Sequence, residues 1–285
     1  MSGGMPETSV DINRGQATDR GLRRELNEDA FLSTETLFAV ADGMGGHEAG
    51  EVASRVCVET LSEGYRQAGG QLNAEQIQNL MREADNAIRV AASERAGTTL
   101  TGAAVVYQED QPYWLVFNVG DSRTYRLAGG ELEQISVDHS EVQLMMDRGE
   151  ITAGEAVWHP RRHVITRALG TGDDSRADFW LLPIQHGDRL LICSDGLSGE
   201  LRDEDIKDIA TRFADPQTAV DELIQAALRT GGRDNITVVV ADAVRGHVDD
   251  DLADTMPRPG AAEDAVETEP VAAPGGDTTT GEEKS

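Results

Sequence analysis

Apolar residues form eight short runs along the chain, and each run predicts a β-strand. Most runs are bounded by Gly, Asp or Asn, the residues that favour turns. The predicted strands are Ala30–Ser33, Leu37–Ala41, Leu100–Tyr107, Tyr113–Val119, Thr124–Leu127, Phe179–Pro183, Arg189–Ser194 and Asn235–Ala241. A hairpin is predicted over Leu127–Ile135, with Gly129-Gly130 as its turn.

A second period, in which apolar residues recur every three or four positions, predicts four helices. They span Glu48–Gln67, Ala74–Glu94, Glu141–Arg148 and Pro216–Leu228. The strands follow one another in consecutive runs, and the long helices fall into two groups. This order is typical of antiparallel sheets covered by helices, and it disfavours a doubly wound parallel sheet.

Composition narrows the possible functions. The chain has 285 residues, 39% hydrophobic and only 4% aromatic, so we expect a sizeable and mostly aliphatic core. The formal charge of −27 disfavours nucleic-acid binding, because an acidic protein repels the phosphate backbone. No apolar run is long enough to span a membrane, and the first residues lack the pattern of a signal peptide. Cys57 and Cys193 lie in apolar segments where a disulfide is not expected, and we predict a cytoplasmic protein.

Residues 246–285 differ in character from the rest of the chain. They show no hydrophobic periodicity, are rich in Pro, Gly, Ala and Thr, and carry eleven Asp or Glu residues against Arg258 and Lys284. Such a segment cannot bury enough apolar surface to fold. We therefore predict one folded domain over residues 1–245 and an acidic disordered tail over residues 246–285.

Asp42 opens the glycine-rich segment VADGMGGHEAGEVAS. The glycines that follow it predict a flexible turn between a strand and a helix, from which the Asp42 carboxylate would reach a ligand. A hairpin, the common meaning of Asp-Gly, is disfavoured because a helical pattern comes next.

Other acidic residues also stand at the ends of predicted strands. In chain order they are Glu28-Asp29 before the first strand, Asp121 and Asp195 after later strands, and Asp234 before the last strand. Turn formation alone explains any one of them, since Asp favours turns. Carboxylates that converge at one sheet edge, however, would repel one another unless a cation neutralised them. Oxygen ligands without a His or Cys cluster suit Mg²⁺ or Mn²⁺, so together these residues predict a carboxylate-built metal site.

Seven segments carry a family resemblance. They are TDRGLRRELNEDAF, VADGMGGHEAGEVAS, GTTLTGAAV, NVGDSRTYRL, VDHSEVQ, ICSDGLSGEL and GGRDNITVVVA. In this order and spacing, from about Thr18 to Asp242, the chain resembles the bacterial metal-dependent protein phosphatases of the 2C type, the PPM family. The resemblance implies an α+β fold, a four-layer αββα sandwich of two antiparallel β-sheets flanked by helices, with a dinuclear Mn²⁺ or Mg²⁺ site at one end.

The resemblance assigns metal ligands by position. Asp42 resembles the carboxylate that bridges both ions, and the backbone carbonyl of Gly43 resembles a ligand of the first. Asp195 and Asp234 resemble ligands of the second ion. Asp121 stands where bacterial members help to hold a weaker third ion.

Further roles follow from the same resemblance. Glu28 and Asp29 would orient water ligands of the ions. Arg24 matches the arginine that binds the substrate phosphate through its two-pronged guanidinium, and the adjacent Arg23 is the alternative.

The proton donor for the leaving group is not assigned. Many eukaryotic relatives have a histidine at the position of Met44. A methionine there is usual in the bacterial branch. A water held by the metals is the first candidate, and His139 and His163 are weaker ones, because a histidine more often serves packing or hydrogen bonding. The segment over about 138–178 resembles the family's flap, which would help to select substrates, and its WHPRRH sequence gives it a local positive charge.

The implied reaction is hydrolysis of phosphoserine and phosphothreonine in proteins. Water bridging two Mn²⁺ or Mg²⁺ ions would attack phosphorus directly, without a Cys or Ser nucleophile. The expected partners are phosphorylated proteins and a Ser/Thr kinase that the enzyme opposes. A small-molecule phosphatase and a non-catalytic phospho-binding scaffold of the same fold are the alternatives, and the scaffold is disfavoured because every ligand position is intact.

Overall fold

The computed structural model describes residues 10–45, 49–92, 96–172 and 175–245, and only the backbone of Arg245. The strands in these ranges are β1 (Asp11–Asp19), β2 (Asp29–Ser33), β3 (Leu37–Gly45), β4 (Ala96–Thr98), β5 (Leu100–Gln108), β6 (Gln111–Val119), β7 (Arg123–Ala128), β8 (Glu131–Gln134), β9 (Asp178–Pro183), β10 (Arg189–Cys193) and β11 (Ile236–Arg245). The helices are α1 (Ala49–Gln67), α2 (Ala74–Ala92), α3 (Glu141–Asp147), α4 (Ala153–Ala156), α5 (Asp195–Ser198), α6 (Asp203–Arg212) and α7 (Pro216–Thr230).

The strands form two sheets. The first has the order β2-β3-β5-β6-β9, with β4 beside the end of β3, and the second has the order β1-β11-β10-β7-β8. The pairs of named strands are antiparallel. The prediction of antiparallel rather than parallel sheets is confirmed.

Three apolar clusters show how the layers stack. The cluster between the sheets joins inward residues of both, such as Phe38 and Val239. A second cluster packs α1 and α2 on the outer face of the first sheet, around Leu61, and a third packs α5, α6 and α7 on the second sheet, around Leu223. Burial of each such side chain contributes roughly 1.5–3 kcal/mol. The predicted four-layer αββα sandwich is therefore the fold.

Five elements of the described ranges have no counterpart in the sequence prediction, namely β1, β4, α4, α5 and α6. The longest two are β1 and α6. β1 has the polar sequence DINRGQATD and lies at a sheet edge, where only Gly15 is buried. α6 is also mostly polar, and only Ile206 and Ala210 on one face are buried. An edge strand and a surface helix need few apolar residues, so their hydrophobic patterns are weak.

The predicted hairpin is confirmed. β7 and β8 pair with Ala128 opposite Glu131, and Gly129 and Gly130 between them have φ of 58° and 83°. Two consecutive residues with positive φ make the turn whose twist matches the strands.

The predicted tail, residues 246–285, lies outside the described ranges, and so do Glu48 and Glu94, the predicted first residue of α1 and last residue of α2. The end of the domain at residue 245 stays a prediction. Within the described part of the chain, no helix combines the length and apolarity needed to cross a bilayer.

Candidate active site

Asp42 lies inside a strand, and the flexible glycine turn predicted from the sequence is wrong at this position. β3 continues past it because β4 pairs with the extension, with Gly43 opposite Thr98. The Asp42 N–H donates to Thr99 Oγ1 at 3.1 Å, and its carbonyl accepts from Thr98 Oγ1 at 2.9 Å. Val40, two residues earlier, packs between the sheets, so strand alternation directs the Asp42 side chain to the same interior.

Gly43 fills a position where a side chain would not fit. An added Cβ would lie 2.1 Å from the carbonyl oxygen of Gly50 and 2.5 Å from that of Glu28. The Gly43 N–H also donates to the Glu28 carbonyl at 3.1 Å. The glycine thus lets the first turn of α1 approach β3, which is a packing reason of its own. The ligand role of its carbonyl stays a prediction.

Asp29 faces Asp42 across the β2–β3 pair. Its Oδ2 accepts hydrogen bonds from Ser194 Oγ at 2.8 Å and from Thr237 Oγ1 at 2.7 Å. Ser194 directly follows β10 and Thr237 lies in β11, so both hydroxyls belong to the second sheet. Its Oδ1 is buried without a hydrogen-bond partner among the described residues. Asp29 therefore links the two sheets with one oxygen and leaves the other available.

Three further carboxylates approach the same place from different elements. Asp121 lies in the turn after β6, Asp195 is the first residue of α5, and Asp234 lies just before β11. The Asp42 and Asp195 side chains affect each other's pKa. The charges of Asp29, Asp195, Asp121 and Asp234 all act on Asp42. The fold thus brings together five aspartates that are far apart in the chain, as the sequence predicts.

Burial and mutual repulsion make four carboxylates costly to ionise, those of Asp29, Asp42, Asp121 and Asp195. Burial, followed by the charges of neighbouring aspartates, raises the pKa of Asp42 well above its usual value. Burial also raises the pKa of Asp29 to about 7 and that of Asp121 to about 8. A divalent cation would offset both effects, because it supplies the charge that the buried oxygens lack.

Unpartnered oxygens support the fit of a cation. Glu28 Oε1, Asp29 Oδ1 and Asp121 Oδ1 are buried with no hydrogen-bond partner in the described part of the chain. Within that part, no group of three or more His, Cys, Asp or Glu side chains is placed so that all of them could hold one metal ion. Mg²⁺ keeps several water ligands and needs only one or two carboxylates, so an open carboxylate site fits such an ion.

Arg24 lies at the edge of the cluster. Its Nη2 donates to Asp234 Oδ2 at 2.6 Å, and both side chains are partly exposed. This hydrogen bond is the main cause that raises the pKa of the Arg24 guanidinium. Both arginines are exposed, but within the described residues only Arg24 is joined to the site by a hydrogen bond to Asp234, and Arg23 is not. The phosphate-binding role of Arg24 stays a prediction.

Both ring nitrogens of His139 are engaged within the fold. The Gly120 N–H donates to Nδ1 at 3.1 Å, and Nε2 lies 3.1 Å from Asp178 Oδ2. Burial lowers the pKa of His139, which favours the neutral ring. These contacts do not support His139 as the acid for a leaving group. His163 is exposed, and its charge acts on Asp195.

The segment predicted as a flap connects β8 to β9 and is tied to the strands that carry the cluster. Thr98 and Leu169 exchange two backbone hydrogen bonds, of 3.0 and 2.9 Å, and Ser140 pairs with Ile165. Trp158, in the middle of the segment, is 84% exposed. The roots of the segment therefore lie beside Asp42, and its middle is open to solvent.

Comparison with known proteins identifies the family. A family model described as Protein phosphatase 2C matches residues 22–232. The chain belongs to the protein phosphatase 2C family. The serine/threonine protein phosphatase PstP of Mycobacterium tuberculosis is 40% identical over 259 residues, which is 89% of this chain and 48% of that protein. The serine/threonine phosphatase stp of Listeria welshimeri is 36% identical over 239 residues, which is 79% of this chain and 93% of that protein. The chain thus spans about half the length of the mycobacterial relative.

Solved structures of the 2C family share the fold. The crystal structure of the M. tuberculosis phosphatase PstP/Ppp has a TM-score of 0.76 and 38% identity, and the match covers 83% of this chain and 100% of that one. The catalytic domain of PstP in complex with two manganese ions has a TM-score of 0.74 and 35% identity, with the same coverage. The αββα prediction is confirmed by these likenesses, and metal dependence is a property of the family.

Several residues of this 2C-family site were not singled out as site residues from the sequence. They are the buried hydroxyl residues Thr98, Thr99, Ser122, Ser194 and Thr237, which hydrogen-bond to Asp42, to Asp29 or to one another. Ser and Thr are common in turns and strand ends, so they stand out only when their burial is known. The adjacent pair in GTTLTG is the one signal that could have drawn attention to them.

Proposed function

We propose that this chain is a metal-dependent protein phosphatase that hydrolyses phosphoserine and phosphothreonine in proteins, opposing Ser/Thr kinases. The observation that carries the proposal is the aspartate cluster at one end of the two sheets, with buried unpartnered oxygens on Asp29 and Asp121, in a chain of the 2C family. Curated relatives over the same region are named Ser/Thr phosphatases. A cytoplasmic location is part of the proposal.

The carboxylates would hold two Mn²⁺ or Mg²⁺ ions and a weaker third. Asp42 would contribute to both of the first two ions, the Gly43 carbonyl would be a ligand of the first, and Asp195 and Asp234 would be ligands of the second. Asp121 would contribute to the third. The effect of Asp42 and Asp195 on each other's pKa, and the charges of the neighbouring aspartates, support this assignment. A related structure with two manganese ions supports the metal.

The chemistry that two bound divalent cations supply is an activated water for direct attack on phosphorus, together with positive charge beside the phosphoryl oxygens. The chain itself would orient the participants. Glu28 and Asp29 would accept hydrogen bonds from water molecules through their unpartnered buried oxygens, and Ser194 and Thr237 fix the direction of the Asp29 carboxylate.

Arg24 would bind the phosphate of the substrate. Its guanidinium is partly exposed at the rim of the cluster, so one edge can bind phosphate oxygens while another contacts Asp234. Cys57 and Cys193 are buried, and burial raises the pKa of each thiol to about 12, so neither is suited to act as a nucleophile.

The test is a hydrolysis assay with the metal as the variable. The chain is stripped with a chelator and assayed on an aryl phosphate, on phosphoserine and phosphothreonine peptides, and on nucleotide and sugar phosphates, before and after Mn²⁺ or Mg²⁺ is restored. We expect turnover of the aryl phosphate and the phosphopeptides that depends on the added ion. Preference for nucleotides or sugar phosphates would indicate a small-molecule phosphatase. Phosphopeptide binding without turnover would indicate a scaffold.

A further inference from the structure

The turn that carries Asp121 is built around a glycine that tolerates no side chain. Gly120 has φ of 108°, a conformation that favours glycine, and an added Cβ would lie 2.6 Å from Thr99 Cβ. Thr99 also accepts the backbone hydrogen bond of Asp42 and bonds the Ser122 hydroxyl at 2.7 Å. The position of the Gly120–Asp121 turn is therefore tied to the backbone of Asp42.

His139 holds both backbone groups of Gly120. Its ring Nδ1 accepts a hydrogen bond from the Gly120 N–H at 3.1 Å, and the backbone N–H of His139 donates to the Gly120 carbonyl at 2.9 Å. Asn118 Nδ2 donates to the same carbonyl at 3.0 Å. Because the amide of Gly120 can only donate, Nδ1 carries no proton, and the ring proton lies on Nε2 facing Asp178 Oδ2. Both His139 and Asn118 are buried, so these bonds are shielded from water.

The same histidine also contacts the returning end of the flap segment. Its carbonyl accepts from the Thr166 N–H at 2.8 Å. The next residue, Arg167, donates to Asp178 Oδ1 at 3.1 Å, so its guanidinium and the Nε2–H of His139 share the Asp178 carboxylate. One residue therefore joins the Asp121 turn to the root of the flap segment.

We propose that His139 is a positioning residue, which holds the Gly120–Asp121 turn so that the Asp121 carboxylate faces the cluster around Asp42. The inference rests on the proposed function, because the direction of the Asp121 carboxylate matters for turnover only if it binds a divalent cation. Loss of the Nδ1 acceptor leaves the Gly120 N–H buried without a partner and loosens the turn. Asp121 Oδ1, buried and unpartnered among the described residues, would then no longer be held toward the cluster.

Two variants of similar size separate the two sides of the ring. In His139→Asn the amide oxygen can take the place of Nδ1 and keep the bond to Gly120, but it cannot reach Asp178. In His139→Gln the longer side chain can contact Asp178 but offers no acceptor at the Nδ1 position. His186→Gln is the matched control, because His186 is exposed in the turn before β10, at the end of that strand away from Asp195.

The first readout is amide hydrogen exchange at Gly120 and Asp121 in the chelated protein, which requires no turnover. We expect faster exchange in His139→Gln and exchange close to that of the unmodified chain in His139→Asn and His186→Gln. The second readout is the Mn²⁺ concentration that gives half-maximal turnover. It should rise roughly 10- to 100-fold in His139→Gln, the usual effect of losing a partner that orients a metal ligand, and little in the other two variants.

A double-mutant comparison tests whether His139 acts through Asp121. In an Asp121→Asn background, His139→Gln should leave the Mn²⁺ dependence unchanged, whereas independent effects would add. The inference is overturned if the effects add, or if His139→Asn and His139→Gln behave alike in exchange and Mn²⁺ dependence while the unmodified chain is active. An unmodified chain that hydrolyses no phosphate ester with Mn²⁺ would instead overturn the proposed function.

Discussion

Buried aspartates at the two ends of β10 and β11 have opposite surroundings. At the end where β10 begins, Arg189 of that strand forms two hydrogen bonds with Asp242, of 2.7 and 2.6 Å, and Arg126 forms two with Asp188, both of 2.9 Å. At the end where β10 leads into α5, the carboxylates cluster, and buried oxygens of Asp29 and others have no partner in the described ranges.

The difference shows what each end of the sandwich is adapted to do. Where the chain provides its own arginine, a buried carboxylate is neutralised and contributes to a fixed structure. Where it provides hydroxyl groups, other carboxylates and the partly exposed Arg24, charge remains to be neutralised from outside. We therefore propose that the unsatisfied end is the binding end, and substitutions at the two ends should have different consequences.

Substitution of Asp42 should have the largest effect on activity. Asp42→Asn removes the carboxylate at the centre of the cluster. Loss of a residue that only orients a metal ligand lowers activity by up to roughly 100-fold, so we expect loss of the ligand itself to lower turnover by more than that. The fold should persist, because the change removes a charge that burial disfavours. Steady-state turnover with Mn²⁺ and thermal melting in chelator measure the two effects, with Asp208→Asn on the exposed face of α6 as the control. Full activity of Asp42→Asn would contradict the assignment of this end.

Substitution of Asp242 should affect stability instead. Asp242→Ala leaves the buried guanidinium of Arg189 without its carboxylate, and we expect the free energy of unfolding to fall by about 3 kcal/mol. Turnover per folded molecule should not change, because this pair lies at the far end of β10. Urea unfolding and an activity assay measure the change, with the exposed Asp221→Ala on α7 as the control. If Asp242→Ala kept its stability and lost turnover, the assignment of this end of the sandwich to stability would be wrong.

Arg24 is the cation at the binding end, and its removal should have a smaller and mixed effect. Arg24→Ala should raise KM for an aryl phosphate roughly 10-fold, because a hydrogen bond to a charged group contributes about 1.5–3 kcal/mol. In the variant Arg24 no longer competes with Mn²⁺ for the Asp234 carboxylate, so the Mn²⁺ concentration for half-maximal activity should fall. Because the Arg24–Asp234 ion pair is partly exposed and therefore weak, the fall should be no more than about fivefold. Kinetics over a series of Mn²⁺ concentrations, with Arg23→Ala as the control, separate the two effects. An unchanged KM would exclude Arg24 as the phosphate ligand.

Removal of residues 246–285 should have the smallest effect. From the polar sequence of this segment we predict that it forms no folded element and that neither end of the sandwich needs it. A chain that ends at Arg245 should therefore keep its melting temperature and its turnover of an aryl phosphate. Loss of either would show that the predicted domain boundary is wrong.

The sequence alone determined the fold class and predicted the residues of the candidate site. Strands such as Leu100–Gln108 and the helix Pro216–Thr230 have strong hydrophobic periods, because each buries a face, and their prediction is confirmed. The Gly129-Gly130 hairpin is local chemistry and was equally predictable. The acidic residues at strand ends, read with the seven family segments, indicated which carboxylates would meet.

Tertiary structure decided what depends on partners distant in the chain. β3 continues through Gly43 because β4 pairs with it, and nothing near Gly43 in sequence specifies that pairing. The surroundings of Asp29 come from Ser194 and Thr237, which reach it from the other sheet. His139 was an isolated histidine in the sequence and became the support of the Gly120 turn only through contacts made across the fold. A local pattern records which face of an element is buried, whereas hydrogen-bond partners between elements depend on how the sheets and helices pack.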